Sequence, residues 1–119
     1  MCDIRGMGLD LCAIPRMQEL LDSGRSLRRM FTPEEEDYIR SRGASAAQTM
    51  AGLFAAKEAI LKALGTGLTI PMTEIIIRHT GLGQPVAELT GKAAALGGSF
   101  LLSITHERDM AAGMAVWIG

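Results

Sequence analysis

Aromatic residues make up only 4% of the 119 positions, and there are just two cysteines, Cys2 and Cys12. Two thiols without companions exclude a disulfide framework and a cysteine-based zinc site, and they read as reduced groups of a cytoplasmic protein. No apolar run is long enough to span a bilayer, which argues against membrane insertion. The start, Met1-Cys-Asp3-Ile-Arg5-Gly, carries charge where a secretory leader needs an unbroken apolar segment, so export is not expected. An excess of one charge sign is also missing: a net charge of −1 supplies no global field for nucleic acid or a membrane surface. There is no internal repeat and no low-complexity linker. What is present is 48% apolar content, with 8 methionines and 14 glycines. That composition predicts a single domain over 1–119, its core filled by aliphatic and flexible side chains.

Taken in order, Ile4–Leu11 fits a strand, with Met7, Leu9 and Leu11 alternating against Gly6, Gly8 and Asp10 at period two, so that Asp10 falls on the face away from the leucines. Ile14-Pro15 opens a helix that Ser23-Gly24 ends. Arg16 sits in its first turn, where the helix dipole disfavours a cation, and this hints at an external partner. Thr32-Pro33-Glu34-Glu35 is a capping box, predicting a helix from Thr32 to about Arg42. A long helix follows from near Ser45 to Leu64, stopped by Gly65. Thr73–Arg78 and Pro85–Leu89 read as one antiparallel hairpin, Lys92–Leu96 as a short helix, and Phe100–His106 with Met110–Ile118 as a second hairpin around Glu107-Arg108-Asp109. Helices gather in the first half and strands in the second. The expected class is α+β, with a mainly antiparallel sheet and one long central helix.

The candidate chemistry lies on that long helix. Phe54, Glu58 and Lys62 are spaced by four and form one column, whereas Lys57 lies on a different face and is given no role. A Glu58–Lys62 surface pair would contribute only about 0.2–0.5 kcal/mol. Asp10 and Glu58 are acidic residues in otherwise apolar or small surroundings. Either a shared divalent cation such as magnesium compensates them, or Asp10 caps a turn and Glu58 pairs with Lys62 in solvent. His106, after Ser103 and Thr105 at a strand end, reads either as a hydrogen-bonded turn residue or as a site residue. Gly65-Thr66-Gly67 follows a helix C-terminus and is not a phosphate-binding P-loop, and no nucleophile elbow supports a serine hydrolase. Arg25, Arg28 and Arg29 form a basic cluster just before the acidic run Glu34–Asp37.

Three separated pieces, read together, resemble the holo-acyl-carrier-protein synthase family of 4′-phosphopantetheinyl transferases. They are Gly8-Leu9-Asp10-Leu11 with Arg16, Phe54-Ala-Ala-Lys57-Glu58-Ala-Ile-Leu-Lys62-Ala-Leu-Gly65-Thr66-Gly67, and Ser103-Ile-Thr105-His106. Phe31-Thr32-Pro33-Glu34-Glu35 and Gly83-Gln84-Pro85 extend the match over nearly the whole chain. The resemblance implies Mg2+-dependent transfer of phosphopantetheine from coenzyme A to a serine of apo acyl carrier protein, with release of adenosine 3′,5′-bisphosphate. It implies Asp10 and Glu58 as metal ligands and Lys62 as the group that neutralises phosphate charge. It also implies Gly65, Gly67, Thr105, His106 and Phe54 against coenzyme A, and Arg16, Arg28 and Arg29, with Arg25 as an extension, against the carrier. A homotrimer with active sites between neighbours is part of what it implies, as is a place in lipid metabolism, fatty acid and polyketide carriers both remaining open. Glu58 and a metal-associated water are both candidates for the general base. Two departures stand out: Leu53 occupies a position that is often basic, and Glu107 follows His106 where a hydroxyl residue is more usual. Alternatives are a non-catalytic carrier-binding trimer and a metal-dependent nucleotide pyrophosphate hydrolase.

Overall fold

The computed structural model describes residues 3–66 and 69–119, so Cys2 and Gly67 lie outside the described residues. The first strand, β1 (Ile4–Ala13), runs two residues further than its alternation suggested and passes directly into helix α1 (Ile14–Ser23). Helix α2 (Pro33–Ser41) starts as expected: the Thr32 hydroxyl accepts from the Glu35 N–H and the Glu35 carboxylate accepts from the Thr32 N–H. After a 3-10 turn at Gly43–Ser45 comes α3 (Ala46–Leu64), closed by Gly65 at φ 72°, whose N–H donates to the Leu61 and Lys62 carbonyls. Strands β2 (Ile75–His79) and β3 (Pro85–Leu89) pair as a two-stranded antiparallel hairpin. The hairpin starts later than the β-branched run suggested because Met72–Glu74 coils into a 3-10 turn. Helix α4 (Gly91–Ala95) precedes β4 (Ser99–Glu107) and β5 (Met110–Ile118), joined at Arg108-Asp109 with Arg108 at φ 56°. Strands β1, β5 and β4 form an antiparallel sheet in that order.

Helix α3 packs on this sheet, and small residues let it come close. A side chain at Gly6 would overlap the Ala63 carbonyl and one at Gly8 the Ala59 carbonyl; Gly113 faces Ala55 and Ala56, and Gly52 faces Ile104. The alternation predicted for β1 therefore holds, but with the glycine face inward. Met7, Leu9 and Leu11 point outward at 66, 62 and 63% exposure, and Leu101 of β4 and Met114 of β5 share that outer apolar face.

Among the described residues the interior holds one charged pair. Lys57 is fully buried, and its Nζ lies 2.6 Å from Glu35 Oε1 while donating to the carbonyls of Met30 (2.7 Å) and Met72 (3.2 Å). Glu35 accepts in addition from the Ile77 N–H at 2.8 Å. Burial pushes the Lys57 ammonium below its ordinary value, and the Glu35 carboxylate opposes that shift. The absence of a role for Lys57 is thus corrected: it ties α3 to α2, to β2 and to the segments containing Met30 and Met72. Since the pair is buried and fully hydrogen-bonded, truncating one partner strands the other charge. Lys57→Ala is expected to destabilise the fold by about 3–5 kcal/mol in denaturant melts. The double variant Lys57→Met/Glu35→Gln is expected to cost less than the sum of the two single changes, read as a coupling energy.

Candidate functional site

The α3–sheet contact brings the column on α3 against β1. Gly8 beneath Ala59 puts the next inward residue of the strand, Asp10, at the flank of the helix where Glu58 and Lys62 emerge. Lys62 Nζ lies 2.9 Å from Asp10 Oδ1 and donates to the Leu9 carbonyl at 3.0 Å. The lysine is thus committed to Asp10, and no Glu58–Lys62 ion pair forms among the described residues. Glu58 is half-buried, and its carboxyl is pushed above its ordinary value, first by burial and then by the Asp10 charge, with Lys62 and Arg16 pulling the other way. Two carboxylates that repel one another and two cations that hold them therefore share one end of the α3–β1 seam. Arg16 belongs to the same group: its guanidinium lies 5.6 Å from the centroid of Phe54, whose ring packs against the core.

No cluster of three or more His, Cys, Asp or Glu residues that could hold a metal occurs among the described residues. Asp10 and Glu58 supply oxygen donors alone and are mutually repulsive, which fits a hard cation that takes its remaining ligands from water and phosphate. The donor set does not fit zinc, which prefers nitrogen and sulfur donors in a fuller shell. The nearby thiol of Cys12 is buried, and burial raises its pKa, so it offers no thiolate. Beside the seam, at the C-terminus of α3, the hydroxyl of Thr66 is buried with no hydrogen-bond partner among the described residues.

Thr105 and His106 point to opposite faces of the sheet. His106, in register with Ala111 and through it with Cys12, lies on the α3 side, where its Nε2 is 3.0 Å from the Gln48 side chain. Thr105, in register with Ala112 and Leu11, lies on the exposed apolar face. Within one chain His106 is also on the other flank of α3 from Glu58, in a cavity of about 230 Å³ that Leu53, Pro85 and Ile104 line as well. Arg28 and Arg29 are exposed in the segment between α1 and α2. Arg16 and Arg25 both line a groove of about 340 Å³ along α1. Sequence reasoning missed Tyr38, Arg42 and His79, which join His106 around the first cavity. The i,i+4 spacing of Tyr38 and Arg42 was available as a signal, but nothing in the sequence links them to His79.

Residues 6–113 match the 4′-phosphopantetheinyl transferase superfamily. The chain is 39% identical over 119 residues to the holo-(acyl-carrier-protein) synthase of Treponema denticola, covering 95% of this chain and 97% of that one. It is 41% identical to the same-named protein of Myxococcus xanthus over 95% of this chain and 94% of that one. Among solved structures, the holo-(acyl-carrier-protein) synthase from Bacillus anthracis in complex with CoA (3′,5′-ADP) superposes with a TM-score of 0.82 at 28% identity, covering 98% of this chain and 97% of that one. The holo-ACP synthase from Plasmodium yoelii gives 0.83 at 28% identity over 100 and 98%.

The raised Glu58 pKa has a direct consequence for stability. A carboxyl raised in the folded state favours folding below its unfolded value of 4.5 and loses that contribution as the pH rises through the folded value. At pH 7 the ionised Glu58 therefore opposes folding, and Glu58→Gln is expected to melt at a higher temperature than the parent at pH 7, the difference vanishing below about pH 4. Millimolar Mg2+ is expected to raise the melting temperature of the parent and leave that of Glu58→Gln unmoved. An equal magnesium shift in both proteins would exclude Glu58 as a cation ligand.

Proposed function

Because this chain belongs to the 4′-phosphopantetheinyl transferase superfamily and is an enzyme of the holo-(acyl-carrier-protein) synthase type, we propose that it transfers 4′-phosphopantetheine from coenzyme A to a serine of apo acyl carrier protein in a Mg2+-dependent reaction that releases adenosine 3′,5′-bisphosphate. We propose further that the whole chain works as a single catalytic domain in the cytoplasm, on carriers of fatty acid synthesis. The observation that carries the site assignment is the convergence of Asp10, Glu58 and Lys62 at one end of the α3–β1 seam.

In the reaction the serine oxygen bonds to the phosphorus nearer pantetheine, the P–O bond to the nucleotide's 5′-phosphate breaks, and the electron pair leaves with adenosine 3′,5′-bisphosphate. Asp10 and Glu58 would hold the magnesium, which when bound supplies charge neutralisation at the pyrophosphate. Lys62, already anchored to Asp10 and the Leu9 carbonyl, presents its remaining N–H to phosphate oxygen as charge develops. The serine proton has Glu58, or a water beside it, as its acceptor. Gly65 ends the helix beside the site and would lie against the substrate, and Phe54 supports Arg16. Arg16, Arg28 and Arg29, with Arg25, would meet the acidic carrier in a salt-dependent encounter.

The outer sheet face supports a homotrimer. Met7, Leu9, Leu11, Leu101 and Met114 form a contiguous exposed apolar patch across all three strands, and copies of this chain are its proposed cover. Thr105 on that face would then serve a site shared between copies.

Incubation of the protein with an apo carrier, coenzyme A and Mg2+ is expected to add one phosphopantetheine to the carrier by mass spectrometry. Asp10→Asn, Glu58→Gln and Lys62→Ala are each expected to lower turnover by at least about 100-fold, and Arg16→Ala to raise the carrier concentration needed while leaving coenzyme A saturation unchanged. Coenzyme A cleaved equally well without carrier would indicate a hydrolase, and carrier binding without mass gain a scaffold. Leu9→Glu and Leu101→Glu are expected to shift the protein from trimer to monomer in sedimentation and to abolish transfer together; a parent that sediments as a monomer would sink the assembly.

A further inference from the structure

The cavity on the β2–β4 flank of α3 is set apart by its charge. Its polar lining comes from Tyr38, Arg42, Gln48, Thr49, His79 and His106, with no carboxylate among them. The ring of Tyr38 organises the basic groups: His79 stacks on it with centroids 4.4 Å apart and planes at 15°, and the Arg42 guanidinium lies 5.7 Å from its centroid. Among the described residues Arg42, just past the end of α2, forms no ion pair, although Arg40 of that helix pairs with Glu36. Burial and then the Arg42 charge push His79 below its ordinary value; Glu34 and Glu35 line the adjoining cavity that shares Tyr38 and His79, and no carboxylate lines this one. Leu53, buried beside the cavity, adds no base of its own.

We propose that Arg42 and His79, held on the ring of Tyr38, seat the 3′-phosphate at the nucleotide end of coenzyme A. This rests on the transfer reading and extends it to residues that neither the sequence motifs nor the comparisons assign. A phosphomonoester dianion brings the negative charge and acceptor oxygens that the cavity lacks. The planar guanidinium offers paired N–H donors, the imidazole regains its proton beside the dianion, and the Gln48–His106 pair presents further donors. Leu53, Pro85 and Ile104 provide an apolar wall of the kind a purine packs against.

Calorimetric titration of the intact protein with adenosine 3′,5′-bisphosphate and with adenosine 5′-monophosphate isolates the contribution of the 3′-phosphate. The bisphosphate is expected to bind about 10- to 100-fold more tightly, the range of a charge-assisted contact. Arg42→Ala is expected to erase most of that ratio and His79→Asn to reduce it several-fold. Arg42→Lys should retain part of it as a point charge, and Arg40→Ala, with the same change in net charge, all of it. Because the readout is a ratio on one protein, a general loss of folded material cancels. A parent without preference, or a ratio unaltered in both Arg42→Ala and His79→Asn, would overturn the seat. The two readings separate cleanly: a ratio that responds as expected in a protein incapable of transfer upholds the seat and sinks the transfer reading, whereas transfer with an unaltered ratio does the reverse.

Discussion

The close approach of α3 to the sheet is the constraint on which the rest of the molecule depends. A helix whose sheet-facing residues are Gly52, Ala55, Ala56, Ala59 and Ala63 can lie almost backbone to backbone on strands that present Gly6, Gly8 and Gly113. That contact leaves no room for a layer of large side chains between helix and sheet. The bulky apolar residues of β1 consequently go to the opposite face, and the polar chemistry collects along the seam. Asp10 reaches Lys62 because nothing large separates β1 from α3. Moving the helix outward by the thickness of one side chain would break that contact, and the outward-facing leucines would still lack cover.

Much of this was legible in the sequence where the governing forces are local. Thr32 with Glu35, and Gly65 after Leu64, mark helix ends because capping satisfies backbone groups within a turn. The column Phe54, Glu58, Lys62 and the inward position of Asp10 follow from helical and strand periods. What the periods do not specify is which face meets what. The alternation in β1 is the same whether leucine or glycine faces in, and only the alanine-rich surface of α3 decides it. Lys57 is the sharper case: its spacing marks a different face from Glu58 but cannot reveal that the face is buried against Glu35, Met30 and Met72. Thr105 and His106, adjacent in one motif, diverge for the same reason that makes a strand alternate. A single chain therefore does not bring them to one site.

The two acidic centres differ in how their charge is compensated, and each arrangement suits its task. Glu35 is enclosed with Lys57, and its oxygens accept from that ammonium and from the Thr32 and Ile77 N–H groups. A fully satisfied buried pair has few alternatives and stiffens the elements it joins. Asp10 and Glu58 are left partly compensated at an open edge. Lys62 serves Asp10, while Glu58 carries the burden of desolvation and like charge. A site left short of positive charge destabilises the ligand-free fold slightly and has correspondingly more to gain from a cation.

The same contrast extends to the cavity around His106, with the sign reversed. There, among the described residues, Arg42 and the two histidines form no ion pair, and at the seam Glu58 has none either. A substrate with a pyrophosphate at one end of its nucleotide and a phosphomonoester at the other, bound with a metal, would relieve both imbalances. The two regions lie on opposite flanks of α3 in one chain, and α3 itself blocks a straight path between them. A neighbour seated on the apolar sheet face offers another route, in which the seam of one copy is completed by the basic cavity of the next. In that proposed arrangement the outward leucines would belong to the catalytic design: the close helix–sheet contact that builds the seam also turns them outward, where a neighbour would bring the second half of the site.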